Sequence, residues 1–164
     1  VPDSFLQESV KMNDSNTTTG GYVGSKMYNT NILPSATIIG NAFGSDHLMV
    51  HREYYTNGVT NNYPSSGGWY DSTIVLMNEV MVYGTDFFTP PNSLGATIPN
   101  THTLETGQLP LFALDHSKIC NLTDWWLRDV VSSEWFAYVG SYGHCDRGSA
   151  SATHGVRPSF AIKA

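Results

Sequence analysis

Apolar residues recur along this chain at changing intervals, and each change of interval marks a predicted element. Between Tyr22 and Gly44, Met27, Ile38, Ile39, Ala42 and Phe43 fall at helix-like spacing, broken by Pro34. The spacing predicts one interrupted helix, or two short ones, ending at Gly44. "HLMVHREYY" follows as a candidate strand. "YTNGVTNNYPSSGGWYDS" is dense in turn formers and reads as a loop. "STIVLMNEVMVYG" is apolar on nearly every face, with Ser72 as N-cap and Gly84 as C′ residue. It predicts a buried helix over 72–83, although periodicity alone leaves a strand open there.

A second long loop is expected in "TPPNSLGATIPNTHTLETG", then a short buried strand in "QLPLFALD". From Asp124 the pattern is β throughout. In "VRPSFAI", Val156, Pro158, Phe160 and Ile162 alternate with Arg157, Ser159 and Ala161, the signature of a half-buried strand. Pro158 lacks a donor and places that strand at an edge. Helical segments first and strands last predict an α+β domain, helices covering small antiparallel sheets. Residues 1–21 are polar, ending in "NDSNTTTGG", and read as a linker or lead-in to a domain over 22–164.

Composition narrows the functional classes. The 164 residues are one domain's worth of chain, long enough for a core without metals or a disulfide scaffold. Net charge is −6 with 8 Lys and Arg, so no basic stripe is available for nucleic acid, and no apolar run is long enough for membrane insertion. Only 13% of residues are charged, leaving a surface that is polar but largely neutral.

Motif chemistry is sparse. No GxxxxGK[ST], GxGxxG or GxSxG run occurs. His47 and His51, with Glu53 nearby, have a spacing that suits zinc on a helix, but "HLMVHRE" reads as a strand, where they sit too far apart. They are expected to be surface or structural histidines. Asp115 beside His116 reads as a turn. Of Trp125 and Trp126, one is expected in the core and the other partly covered, with Trp69 also holding the fold. Arg128 and Arg157 lie inside apolar strands and need a partner such as Asp129 or a carbonyl. Cys120 and Cys145 lack CxxC spacing and would pair only if folding joined them.

One stretch stands apart. "AYVGSYGHCDRGSASATHG" (137–155) lies between the apolar "DWWLRDVVSSEWF" and "VRPSFAI" yet mixes four Gly, three Ser and three Ala with Tyr, His, Asp and Arg. Tyr supplies broad amphipathic contact at low entropy cost, while Ser and Gly adapt, so the mixture suits a binding surface. An ordinary polar hairpin with Gly-rich turns has the same composition.

"DWWLRDVVSSEWFAYVGSYG" followed by "GVRPSFAIK" resembles the C-terminal region of variable proteins diversified by phage and bacterial retroelements. "HREYYTNGV", "GGWYDSTIVLMNEVMVYG" and "QLPLFALD" are similar to framework segments of gut-phage members, so the resemblance covers about residues 20–164. It implies a C-type-lectin-like fold with two main helices, small antiparallel sheets and much ordered loop, carrying a variable region at about 132–164. Adenine-targeted mutagenesis of Asn codons yields the residue types that crowd this stretch. The implied ligand-facing set is Tyr138, Gly140, Ser141, Tyr142, His144 and Asp146, then Arg147, Gly148, Ser149, Ala152 and His154. Trp135 joins the face, although it and Glu134 fall outside the Asn-codon outcomes. Phe136, Ala137, Val139, Val156 and Phe160 would be scaffold.

The resemblance implies a non-catalytic receptor-binding display domain on a phage virion, or on a bacterial cell surface. Its partner would be a protein or a glycan on a bacterial cell, with no nucleic acid, no cofactor and no catalytic residue. A homo-oligomer could form through a region preceding Val1. Calcium is not expected, because EPN, QPD and WND are missing. Two alternatives share the fold: a formylglycine-generating-type enzyme using Cys120 and Cys145, and an undiversified bacterial surface adhesin.

Overall fold

In the computed structural model, residues 10–61, 63–88, 107–120 and 122–163 are described. They form a mixed α+β arrangement with one main helix and several small antiparallel sheets. Its centre is the sheet β5 (Trp125–Val130), β6 (Trp135–Val139) and β7 (Cys145–Ser149), in that spatial order.

All six residues of β5 are buried, because the sheet is covered on both faces. Trp126, Val130 and Phe136 point into one core cluster with Met12, Tyr22, Met27, Tyr55 and Leu76. Trp125, Leu127, Ala137 and Val139 point into another with Met77, Val82, Phe112 and Ile119. Adjacent strand residues face opposite ways, so the two neighbouring tryptophans serve different clusters. Both are fully buried, which corrects the expectation that one is only partly covered.

The predicted interrupted helix exists. A π-helical turn, Tyr28–Ile32, runs directly into α1 (Leu33–Phe43), with Pro34 in its first turn and Gly44 as its cap. The segment expected to be a loop over 55–72 is instead mostly a long hairpin, β2 (His51–Thr60) with β3 (Tyr63–Ser72). Its turn formers have strand roles: Asn61 turns the chain at φ 51°, and Gly58 sits at the register shift. At Gly67 a Cβ would lie 2.5 Å from the Tyr54 ring, so the bare backbone admits that ring. Trp69, expected to hold the fold, packs edge-on to Tyr54 but remains 45% exposed.

The helix predicted over 72–83 is divided. Ile74–Leu76 forms β4, paired with β9 (Pro158–Phe160), because its β-branched residues fit a sheet covered on both sides. Only Glu79–Tyr83 is helical (α2), and its N-cap is Asn78, whose side chain accepts from Met81 N at 2.8 Å, rather than Ser72. Gly84 is the left-handed C-cap as expected, at φ 79°. "QLPLFALD" is not a strand: Pro110 starts α3 (Pro110–Leu114), which buries Phe112. Asp115 then caps a 3-10 turn over His116–Lys118, accepting from Ser117 N at 3.0 Å. Most of the second predicted loop, 89–106, lies outside the described residues.

The expected lead-in is packed from Val10 onward. β1 (Val10–Lys11) pairs with β8 (Thr153–His154), Met12 is fully buried, and Trp126 Nε1 donates to Val10 O at 2.7 Å. Leu48 bridges Ile162 in the same way, so early and late segments close on each other. Among the described residues, no helix is long and apolar enough to cross a membrane.

Charged side chains pack within or against each cluster. Arg128 pairs with Glu53, lies 4.9 Å from the Tyr55 ring centroid and donates to Leu76 O at 3.4 Å. Arg157 donates to Lys118 O at 2.8 Å and packs over the Phe112 and Trp125 rings. Asp129 accepts from Glu79 N at 2.7 Å, and the fully buried Glu79 carboxylate accepts from the backbone of Phe87 and Phe88.

Candidate functional site: the β6–β7 hairpin

Register divides the predicted face. Tyr138 stands opposite Asp146 and Phe136 opposite Gly148, while Trp135, Ala137 and Val139 stand opposite Ser149, Arg147 and Cys145. Partners across an antiparallel pair share a face, and alternate positions take opposite faces. Tyr138, Asp146 and Gly148 therefore lie on one side of the sheet, and Trp135, Arg147 and Ser149 on the other. The expected single patch becomes two rims and a tip around β7, the edge strand.

The first rim is packed rather than free. Tyr138 donates to Asp146 Oδ2 at 3.1 Å, and His154 from β8 stacks on Tyr138 with ring centroids 4.2 Å apart. His154 also meets the edge of Trp126, centroids 4.3 Å apart. Gly148 lies beneath this stack, where a Cβ would come within 3.2 Å of His154 Nε2. Burial lowers the His154 pKa against the pull of Asp124 and Asp146, so at neutral pH the ring is uncharged. Its 3.6 Å approach to Asp124 is then a polar contact and not an ion pair. Burial, with the hydrogen bond to Asp146, raises the Tyr138 hydroxyl to about 12. Ala152 is half-buried against the core, and Gly140 is buried. Tyr138, Gly148, Ala152 and His154 are thus half-buried and Gly140 is buried, so each presents less open surface than Tyr142 or His144.

On the second rim, the Arg147 guanidinium lies between two rings, 5.0 Å from Trp135 and 5.1 Å from Phe88. Trp135 is 38% exposed, and Arg147 is exposed beside it. Cation–π stacking holds a flexible cation flat while leaving its donors available.

The tip, 140–144, is clamped through its main chain. Gly140 N donates to His144 O at 2.8 Å and Gly143 N to Gly140 O at 2.7 Å. From outside the hairpin, Asp124 accepts from Ser141 N at 2.7 Å, Leu122 N donates to Ser141 O at 3.1 Å, and Tyr83 donates to Gly143 O at 3.0 Å. Gly143 has φ 86°, a conformation that favours glycine. Tyr142 is 83% exposed on this fixed loop, and His144 is exposed with its ring against Gly140.

Beside the tip lies an open cleft of about 320 Å³, lined by Leu122, Thr123, Asp124, Ser141, Thr153 and His154. Hydroxyls and one carboxylate dominate it, so it suits a hydroxylated or amine-bearing group. Asp124, Leu122, Gly143 and Phe88 were not singled out in the sequence, and only the position of Asp124 just before the tryptophan pair hinted at it.

Cys120 and Cys145 are both free. Cys120 donates to Ser141 O at 3.1 Å, whereas Cys145 faces Glu79 Oε1 at 3.4 Å. Burial first, then the Glu79 charge, pushes the Cys145 thiol far above its ordinary value and keeps it un-ionised. Among the described residues, no group of three His, Cys, Asp or Glu is placed to hold a metal ion. No protein-family model, curated protein or solved structure matches this chain.

Proposed function

We propose that this chain is a non-catalytic ligand-binding display domain of C-type-lectin-like fold, from a phage virion protein whose C-terminal hairpin is diversified by a retroelement. Its target is a protein or a glycan on a bacterial surface. The observation that carries the reading is the division of labour at the tip. The main chain of 140–144 is held by backbone bonds and by Asp124, Leu122 and Tyr83 from outside, while the Tyr142 and His144 side chains stay exposed. A loop fixed in this way keeps its shape when its side chains change, as a diversified surface requires.

The contact surface on this reading is narrower than the whole stretch. Tyr142 and His144 form its centre, Trp135 and Arg147 flank it on one rim, and Ser141 with Asp146 flanks it on the other. Tyr and Arg are the residue types that most often carry binding energy at such surfaces. Small sheets joined by ordered loop support the lectin-like fold. The enzyme alternative draws no support from Cys145, whose thiol is held protonated.

The test is the DNA around the gene. The proposal expects a reverse-transcriptase gene and a second, near-identical copy of the coding sequence for about 132–164, differing only at adenines. A locus with neither would overturn diversification and leave the undiversified adhesin.

A further inference from the structure

The two core clusters meet along a seam that is not filled. Val75 and Phe160 belong to one side and Met81 and Leu109 to the other. Between them is a cavity of about 180 Å³, with His51 and Glu53 also in its wall. None of its lining residues belongs to the β6–β7 hairpin or the cleft beside it.

Size and charge together select a ligand class. A dry cavity of about 150 Å³ accepts benzene, so this half-open one has room to seat a single ring with one or two further atoms. Among the described residues of its wall, the ionisable groups are Glu53 and His51, with no Lys or Arg. Glu53 is held in place by the buried Arg128, whose side chain is 2% exposed. A carboxylate offers about four acceptor positions, so one guanidinium contact does not exhaust it. A donor head is therefore welcome at the acceptor positions that Arg128 leaves open, whereas an anionic head finds no Lys or Arg among the described wall residues.

We propose that the seam cavity is a second binding site, for a small primary amine carried on one apolar ring, with Glu53 receiving the ammonium and the seam residues packing the ring.

The test titrates the full chain with benzylamine, benzyl alcohol and benzoate by ligand-detected NMR. The proposal expects saturable benzylamine binding, about tenfold weaker binding of the alcohol, as one charge-assisted hydrogen bond implies, and none for benzoate. Glu53→Gln strips Arg128 of its partner and tests folding as much as binding, so Gly107→Phe carries the decision. Gly107 lines the cavity, and a Cβ there would meet no atom of the described residues within 4 Å. Gly107→Phe should abolish benzylamine binding with an unchanged unfolding midpoint. Benzylamine that does not saturate, benzoate that binds equally well, or binding that survives Gly107→Phe would each overturn the proposal.

Discussion

His154 lies nearly parallel to Tyr138, ring planes 20° apart, which joins two residues from separate strands into one packing unit against Trp126. Tyr138 thus contributes to the fold, whereas Tyr142, four positions on, is 83% exposed. Tyr138→Ala should lower unfolding free energy by roughly 2–3 kcal/mol through lost packing and stacking. Tyr142→Ala should change it by no more than about 0.5 kcal/mol. Urea unfolding measures both, and equal losses at the two sites would contradict the division between rim and tip.

Glycines at the tip have separable roles. Gly143→Ala should cost roughly 1–2 kcal/mol, because its φ of 86° is strained for any L side chain. At Gly140 a Cβ would sit 2.1 Å from the His144 ring, so the obstacle is a movable, exposed side chain. Gly140→Ala should therefore be milder in a His144→Ala background, with a coupling of roughly 1 kcal/mol in a double-mutant cycle. Strictly additive effects would show that the ring is not what excludes the methyl group.

How far the sequence was legible depended on where each apolar residue's partner lay. The strands after Asp124 and the cap at Gly84 were readable because alternation and local turn chemistry fix them. Ile74–Leu76 was misread because its partner, Pro158–Phe160, is remote in the chain, and nothing in "STIVLMNEV" announces that pairing. The β2–β3 hairpin was hidden because Gly58, Gly67 and Gly68 resemble loop residues, yet they serve a bulge and a close ring contact. For the site, composition located the hairpin. The separation of Tyr138 from Arg147 by the sheet follows from register, which composition does not carry.

Two buried groups give opposite pH slopes. Burial, then the Glu79 charge, raises Asp129 to about 7, against the pull of Arg128. The folded state thus favours the protonated acid. Stability from this group is full below its ordinary pKa, about 3.9, and falls as pH rises toward 7. The scale is on the order of 1.4 kcal/mol for each tenfold change in proton affinity. Asp129→Asn should remove that decline. His154 is shifted downward, so its contribution is present above about pH 6.5 and is lost as pH falls below it. His154→Gln should weaken the acid-side loss. Chemical unfolding of both variants between pH 4 and 8 checks the signs, and an Asp129→Asn curve parallel to the unmodified chain would contradict the first.

Cys145 should be inert while the domain is folded. Its raised thiol and half-buried position predict slow labelling by iodoacetamide at pH 8, becoming fast in denaturant. Mass spectrometry of the labelled peptide decides this. Rapid modification in the native state would reopen thiol chemistry at this site.

The central claim is that target recognition is separable from folding at Tyr142, His144 and Arg147. Its most direct test compares the unmodified domain with a variant carrying Asn at all three positions, measuring thermal midpoint and binding to the bacterial cells recognised by the unmodified domain. The account predicts an unchanged midpoint with binding abolished. Full binding by the triple variant, or a midpoint that collapses with it, would contradict the account.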